Sequence, residues 1–433
     1  MTDLSQADWT GALERARAHA PFLALGLDRQ PELEAMLADG RGEEALGYAR
    51  APGGEVGAAL RRERWAIAIA LAIGDLAGAF PLARVMHELS DFADRALAAA
   101  IGEAIRRRVP DAEAAGFTAL ALGKHGAREL NYSSDIDPIL LYDPARLPRR
   151  ERDDAAEAAQ RYARSILALL IEQTAEGYVF RVDLRLRPAS EVSPLAISFD
   201  AALTHYESSA IAWERAAFIR ARAAAGDTAA GEAFLASIAP FVWRRSLDFT
   251  ALEEIRRLTA RIRDHHKGPR EPGPGFDLKR GRGGIREIEF FAQAQQLIHG
   301  GRHPSLQVRG TRPALEALAE AGIVAPEDAV MLGESYDRLR TIEHRLQMID
   351  DRQTHALPRS EAAIDNVAQL DGLADGAALI EELRALTAGV AARYDTLLTG
   401  SDDQPAVRPA RDNAAVARIE ARIDRWRETL RTL

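Results

Sequence analysis

Through residues 1–115 apolar positions recur at a spacing near 3.6, as in Leu60–Ala79 and Val85–Ile105. The block is rich in Ala, Leu, Arg and Glu, which favour helix. Pro52-Gly53-Gly54 interrupts it. At Phe117–Leu122 the pattern changes to a short apolar run that predicts a strand. Asp135–Tyr142 and Tyr178–Leu186 read as two more strands, the latter alternating from Val179 to Leu186. They bracket a helix at about 150–176. A strand-turn-strand, helix, strand order predicts an α/β or α+β unit. Residues 199–225 read as helix again, and so does most of the chain from Gly231 to about Gly400. Loops are expected at 267–275 and 300–305, where Gly and Pro cluster. Leu339–Met348 and Ala377–Leu398 look like core-facing amphipathic helices. Residues 401–412 read as a linker, and 414–433 as a charged helix opening a following domain. The expected fold is α+β and mostly helical. It comprises a helical segment (1–115), a mixed α/β unit (116–230), a helical bundle (231–400), and a linker with the start of a further helix (401–433).

At 433 residues the chain is long enough for two or three domains. With 47% hydrophobic and 28% charged residues it has a soluble, globular composition. It has no Cys, which excludes disulfides and thiolate metal sites and fits a cytoplasmic protein. No apolar run is long enough to span a bilayer, and Ala66–Phe80 is broken by Gly74 and Asp75. The first residues lack the basic stretch of a signal peptide. A net charge of −9 argues against a nucleic-acid coat protein. Lys occurs only at 124, 267 and 279, so the lysines in the glycine-rich stretches at 123–126 and 278–284 stand out.

Candidate chemistry centres on Gly123-Lys-His-Gly126 and Ser133-Ser134-Asp135-Ile136-Asp137. On a strand, Asp135 and Asp137 point to one face. Asp183, on its own apolar strand, supplies a third carboxylate. Three such groups suit Mg²⁺, expected as a pair of ions that would clamp the attacking and leaving oxygens of a nucleotidyl transfer. Gly123 would let backbone approach a phosphate, Lys124 would add charge, and Ser133 and Ser134 would bond phosphate oxygens. Arg185 and Arg187 would share the strand face of Asp183 and hold an anionic substrate; a salt-bridge ladder is the plain alternative. Lys279 and Arg286 flank a basic, glycine-rich loop that runs into a helix, another place for an anion, though an ordinary interdomain turn reads the same way. Glu287 would complement that helix's dipole. Trp213-Glu-Arg215, with Arg220 and Arg222, fits an ion-paired helix as well as a site. His265, His266, His299, His303, His344 and His355 lack ligand spacing and read as surface or core residues.

These motifs resemble the DNA polymerase β type nucleotidyltransferase superfamily. More narrowly, the chain is similar to the bacterial glutamine synthetase adenylyltransferase/adenylyl-removing enzymes over nearly its whole length. Pro21-Phe-Leu-Ala with Pro31-Glu-Leu-Glu resembles that family's opening. The run from Gly123 to Asp137, Gly283-Gly-Ile-Arg-Glu-Ile-Glu-Phe290 and His299-Gly-Gly-Arg-His-Pro-Ser-Leu-Gln307 resemble its N-terminal, adenylyl-removing unit. Arg181–Pro188 and Trp213–Ala217 are shared more widely in the family. The resemblance implies a polymerase β-type domain flanked by helices, with Asp135, Asp137 and Asp183 as metal carboxylates. It implies removal of AMP from a tyrosine of glutamine synthetase by phosphorolysis, which consumes phosphate, releases ADP and regulates nitrogen assimilation. It also implies the PII signal protein as a partner. ATP-dependent adenylylation of glutamine synthetase, or a non-catalytic nucleotide- or signal-binding module, are the alternatives. Three positions depart from the family pattern: His125 and Pro138 stand where leucine is usual, and Ala127 where glycine is. Ala127 would hinder a phosphate if it needed positive φ, and Pro138 calls for an edge or strand end. The chain reads as the N-terminal half of such an enzyme.

Overall fold

The computed structural model describes residues 7–244 and 268–399. The linker and helix expected at 401–433, and the adjacent His265 and His266, lie outside them.

Six helices open the chain: Trp9–His19, Pro21–Arg29, Pro31–Ala38, Gly42–Ala49, Val56–Leu76 and Leu82–Arg106. Pro21 and Pro31 start two of them, where a missing N–H removes no helical bond. Ala66 to Gly74 is buried at every position, so Val56–Leu76 is the central helix of this layer. The predicted period Val85–Ile105 falls within Leu82–Arg106, and Leu60–Ala79 overruns the end of Val56–Leu76 by three residues.

The sheet has strands β1 (Phe117–Leu122), β2 (Asp135–Tyr142), β3 (Arg181–Val182), β4 (Ala196–Ser198) and β5 (Arg222–Gly226). Their order is β3-β2-β1-β5, with β4 also pairing β2. β2 runs antiparallel to β1 and parallel to both β3 and β4. The helix Ala155–Ile171 makes the crossover that the parallel pairing requires. Alternation sorts the strand residues between two cores. Phe117, Ala119, Ile136 and Leu140 pack with the N-terminal helices and the crossover helix. Leu120, Leu122, Ile139 and Leu141 pack with the helices Phe199–Ser208, Ala212–Ile219 and Thr228–Val242. Five further helices, Ile285–His299, Thr311–Glu320, Pro326–Asp350, Glu361–Leu370 and Gly376–Thr399, enclose a third core. The architecture is the expected mostly helical α+β fold.

Two predicted elements differ. The strand expected through Leu186 ends at Val182. The Asp183 carboxylate accepts the Arg185 backbone N–H at 2.9 Å, and Arg187 N–H bonds Leu184 O at 3.2 Å, so the chain turns instead of continuing. Arg185 and Arg187 therefore do not extend a strand face beside Asp183. The helix expected over 199–225 stops at Ile219 and gives way to β5. Arg222-Ala-Ala-Ala-Gly226 has helical propensity, but the free side of β1 takes it as a fifth strand, and its small side chains leave room for the helix Thr228–Val242.

Pro138 sits inside a central strand, against the edge position expected. Ile136 O accepts the Asp183 N–H, so by alternation the missing N–H of Pro138 faces the same side. On that side β3 pairs only Asp135 and Ile136, and β4 pairs only Leu140 to Tyr142. Pro138 falls in the gap between them and removes no ladder bond.

Candidate functional site

β2 begins at Asp135, and its odd-numbered residues face the side of Ile139 and Leu141. Asp135 and Asp137 thus project together beyond the end of that core. The register Asp135↔Arg181 and Ile136↔Val182, with Asp183 N–H on Ile136 O at 2.9 Å, carries Asp183 alongside. Carboxylate oxygens of Asp135, Asp137 and Asp183 lie within 4.8 Å of one another, and all three side chains are half-buried. Gly123, with φ +56°, follows β1, whose last residue Leu122 pairs with Asp137; a Cβ at 123 would stand 2.7 Å from Asp137 Oδ2. A side chain at 123 would therefore collide with the acidic cluster as well as strain the backbone.

Burial pushes the Asp137 carboxyl well above the usual carboxylate range, and the charges of Asp135 and Asp183 add to it; Lys279 and Arg185 oppose them. Arg185 Nε lies 2.9 and 2.8 Å from the two Asp183 oxygens, and Asp135 Oδ1 accepts a bond from Gln353 Nε2 at 3.0 Å. Three converging carboxylates form a hard-oxygen donor set of the kind that takes a divalent cation.

Cations line the bundle side. Lys124 pairs with Glu343 at 3.0 Å. The Glu343 carboxylate is fully buried and also meets Arg340 at 3.1 Å and His355 Nδ1 at 2.5 Å. Burial lowers the Lys124 ammonium to about 8, against the pull of Glu343, while Lys124 and His355 hold Glu343 well below its ordinary value despite its burial. Glu289 pairs with Arg220 at 3.1 Å and, though buried, is held at about 2 chiefly by Arg220 and the two lysines. Lys279 and Arg286 have no ion-pair partner among the described residues. Burial and mutual repulsion lower the Lys279 pKa, while Glu343, Glu289 and Asp135 draw on it from either side. The acidic cluster thus faces Lys279, which has no ion-pair partner among the described residues.

Residues 14–237 match the family described as glutamate-ammonia ligase adenylyltransferase, more than half of the chain. The chain belongs to this family. Residues 254–398 match the family described as GlnD PII-uridylyltransferase. The chain is 43% identical to the bifunctional glutamine synthetase adenylyltransferase/adenylyl-removing enzyme of Caulobacter vibrioides, over 92% of this chain and 42% of that protein. Proteins of the same name from Bradyrhizobium diazoefficiens and Rhizobium meliloti are each 41% identical, over 90% and 89% of this chain and 40% of theirs. The chain spans about two fifths of the length of these curated relatives.

As an adenylyltransferase-family fold, the molecule uses several of its motif residues structurally. Ser133 donates to Asp351 O at 3.0 Å and accepts from Arg181 at 2.9 Å, and only Ser134 of the serine pair stays clear of that network. Arg187 places its guanidinium on the carbonyls of Leu184, Ser190, Ser193 and Pro194, which fixes the turn after Asp183. Ala127 has φ −77°, so the position needs no glycine. His125 is buried and meets Asp94 at 2.7 Å. Glu214 accepts the Ile211 N–H at its helix start and bonds His205. Arg222 grips Asp94 at 2.7 and 2.8 Å. Glu287 accepts the Gly283 N–H at 2.9 Å. Gln353, Glu343 and Glu289 join the site without having been singled out, and His355, read from its spacing as a surface or core histidine, joins it through Glu343; Glu289 shares its motif with Arg286, and the others carry no local signal. No helix among the described residues is long and apolar enough to cross a membrane.

Proposed function

We propose that this chain removes AMP from adenylylated glutamine synthetase by metal-dependent phosphorolysis. The observation that carries the chemistry is the convergence of Asp135, Asp137 and Asp183 within 4.8 Å, with Lys279 acting on Asp135 and Asp137. Mg²⁺ held by these carboxylates would supply charge stabilisation for a phosphoryl centre passing between two oxygens. The three carboxylates fix the ion and are not proton donors. Lys279 and Arg286 hold inorganic phosphate in line with the adenylyl group, and their fixed charge stabilises the negative charge that develops in transfer. The bond from phosphorus to the tyrosine oxygen breaks as the bond to phosphate oxygen forms, so ADP and free tyrosine leave. Lys124 sits on Glu343 and supports this charge layer from beneath; Arg185, bonded to Asp183, orients a metal ligand.

The direction rests on the likeness of 123–137, 283–290 and 299–307 to the adenylyl-removing unit. The relatives' names include both activities, so ATP-dependent adenylylation of glutamine synthetase is the second reading. The match of 254–398 to a PII-uridylyltransferase family supports the PII signal protein as a regulatory partner. The chain is to be incubated with adenylylated glutamine synthetase, Mg²⁺ and phosphate, and ADP measured. ADP release that requires phosphate and is lost in Asp135→Asn is expected. AMP transfer from ATP to unmodified enzyme, without ADP release from the adenylylated form, would reverse the direction.

A further inference from the structure

A cavity of about 490 Å³ opens where the helices Pro21–Arg29, Gly42–Ala49 and Val56–Leu76 meet the turn at 174–177. No residue of the acidic cluster lines it. Its volume is that of a small-molecule site. Small side chains, among them Ala49, Ala66 and Ala175, leave the space open, and the Trp65 and Tyr48 rings supply flat walls. Phe22 backs the Trp65 ring at 4.6 Å, so the indole is held in place. The Arg29 guanidinium lies over the Trp65 ring, 5.5 Å from its centroid, and has no carboxylate partner among the described residues. Arg62, at the same mouth, is already committed to Glu176 at 2.8 Å. A largely apolar slot walled by Tyr48 and Trp65, beside a guanidinium without a carboxylate partner, recognises a planar ring bearing an anionic group: the ring packs along these two side chains, and the anion pairs with the guanidinium.

The cavity also abuts the chain that leads to the acidic cluster. Ala175 and Glu176 line it, and Gly177 (φ +90°) approaches the indole so closely that a Cβ there would lie 3.2 Å from Trp65 Nε1. The next residue, Tyr178, accepts bonds from Arg64 at 2.9 Å and Arg181 at 2.5 Å. Arg181 pairs in register with Asp135, and Asp183 follows two residues later. Arg64, adjacent to Trp65, grips Asp351 at 2.7 Å, and Asp351 O holds Ser133. A ligand that moves Trp65 or the 174–177 turn acts on both strands that carry the carboxylates.

We propose that this cavity is an effector site for a small aromatic carboxylate, coupled to the acidic cluster through Arg64, Tyr178 and Arg181. The coupling rests on the metal-site reading above; the binding does not. The test uses the full chain labelled with 5-fluorotryptophan, the Trp65 resonance being assigned from Trp65→Phe. Indole-3-acetate is titrated, with indole-3-acetamide as the uncharged control. A saturable shift of the Trp65 resonance is expected, weakened about fivefold or more in Arg29→Ala and for the amide. Arg29 is exposed, so that variant keeps its fold. No shift at about 10 mM probe, or a shift indifferent to Arg29→Ala, overturns the site. Mg²⁺ affinity is then measured with and without saturating probe. A change of about twofold or more supports the coupling, and an unchanged affinity overturns it. If Mg²⁺ fails to bind under either condition, the metal-site reading and the coupling fall together, and the Trp65 titration still decides the pocket.

Discussion

Replacing Asp137 by Asn should stabilise the metal-free protein while abolishing its response to Mg²⁺. The two effects have one cause. Two ionised carboxylates 4.8 Å apart repel by about 3.5 kcal/mol at an effective dielectric of about 20. Asp137 faces two such neighbours, with Lys279 and the Arg185 that binds Asp183 offsetting part of the repulsion. Its folded pKa is raised above the ordinary carboxylate value. The folded protein therefore holds this proton more tightly than the unfolded chain does. Stability from this group is full below the unfolded value and is lost as pH rises through the folded one. At pH 8, far above the ordinary carboxylate value, the group costs stability, either through this repulsion or through the proton it must hold, and Asn removes that cost. After the offsets a gain of about 1–2 kcal/mol is reasonable, which for a chain of this size is roughly 1–2 °C in Tm. Mg²⁺ at a hundredfold excess over Kd would add about 2.7 kcal/mol to the wild type by mass action. Thermal melts in EDTA and in MgCl₂ at pH 8 should therefore cross: the variant melts higher without metal and the wild type higher with it. At pH 4 the difference in EDTA should shrink. A variant that melts several degrees lower in EDTA, or that keeps the Mg²⁺ shift, would refute the reasoning.

Glu343→Gln leaves Lys124, Arg340 and His355 around a neutral amide and should destabilise by about 3–5 kcal/mol in urea titration; a loss under 1 kcal/mol would mean another counter-charge serves them. Glu289 and Asp75 are each held at about 2 in the folded protein. Such depressed groups stabilise above their unfolded pKa and lose that contribution as pH falls from about 4.5 towards 2, by a few kcal/mol each. Asp75→Asn should be less stable at pH 7 but have a flatter acid limb, and parallel limbs would contradict this assignment. Arg187→Lys cannot span the carbonyls of Leu184, Ser190, Ser193 and Pro194 and should speed proteolytic nicking within 184–194 about tenfold, with Mg²⁺ affinity kept. Loss of Mg²⁺ affinity with unchanged nicking would place Arg187 in the site instead.

The acidic cluster was legible because its geometry is local. Period-two alternation puts Asp135 and Asp137 on one face whatever surrounds them, and a crossover helix followed by an apolar run points to Asp183 as their neighbour. The same alternation misled from Asp183 onward. Arg185 and Arg187 keep the strand rhythm, but the Asp183 side chain captures the Arg185 N–H and bends the chain, a competition that a hydrophobic pattern does not register. Arg222-Ala-Ala-Ala-Gly226 was misread for a related reason: its propensity is helical, and only the unpaired side of β1 makes it a strand. Gln353, Glu343 and His355 were hidden differently. They lie on or just beyond the helix Pro326–Asp350, whose apolar stripe shows that it is buried but not which of its polar residues meets β2.

The charge balance at that junction explains why the helical bundle is packed against the sheet. Buried carboxylates are retained only where cations compensate them. Glu343 takes Lys124, Arg340 and His355, and Glu289 takes Arg220, which leaves Lys279 and Arg286 over. Those two are set by the turn at 277–284, where the Asp277 carboxylate accepts the backbone N–H groups of Lys279 and Arg280 and Glu287 accepts that of Gly283. The turn is held in turn by Leu278 N–H on His355 O and by the bridge from Asp277 to Ala356. Positive charge beside the triad is therefore a property of the assembled sheet and bundle. The sheet unit positions three carboxylates with Arg185 on Asp183; docking the bundle adds Lys279, already fixed in place, and charge set in advance is what stabilises a developing charge without reorganisation.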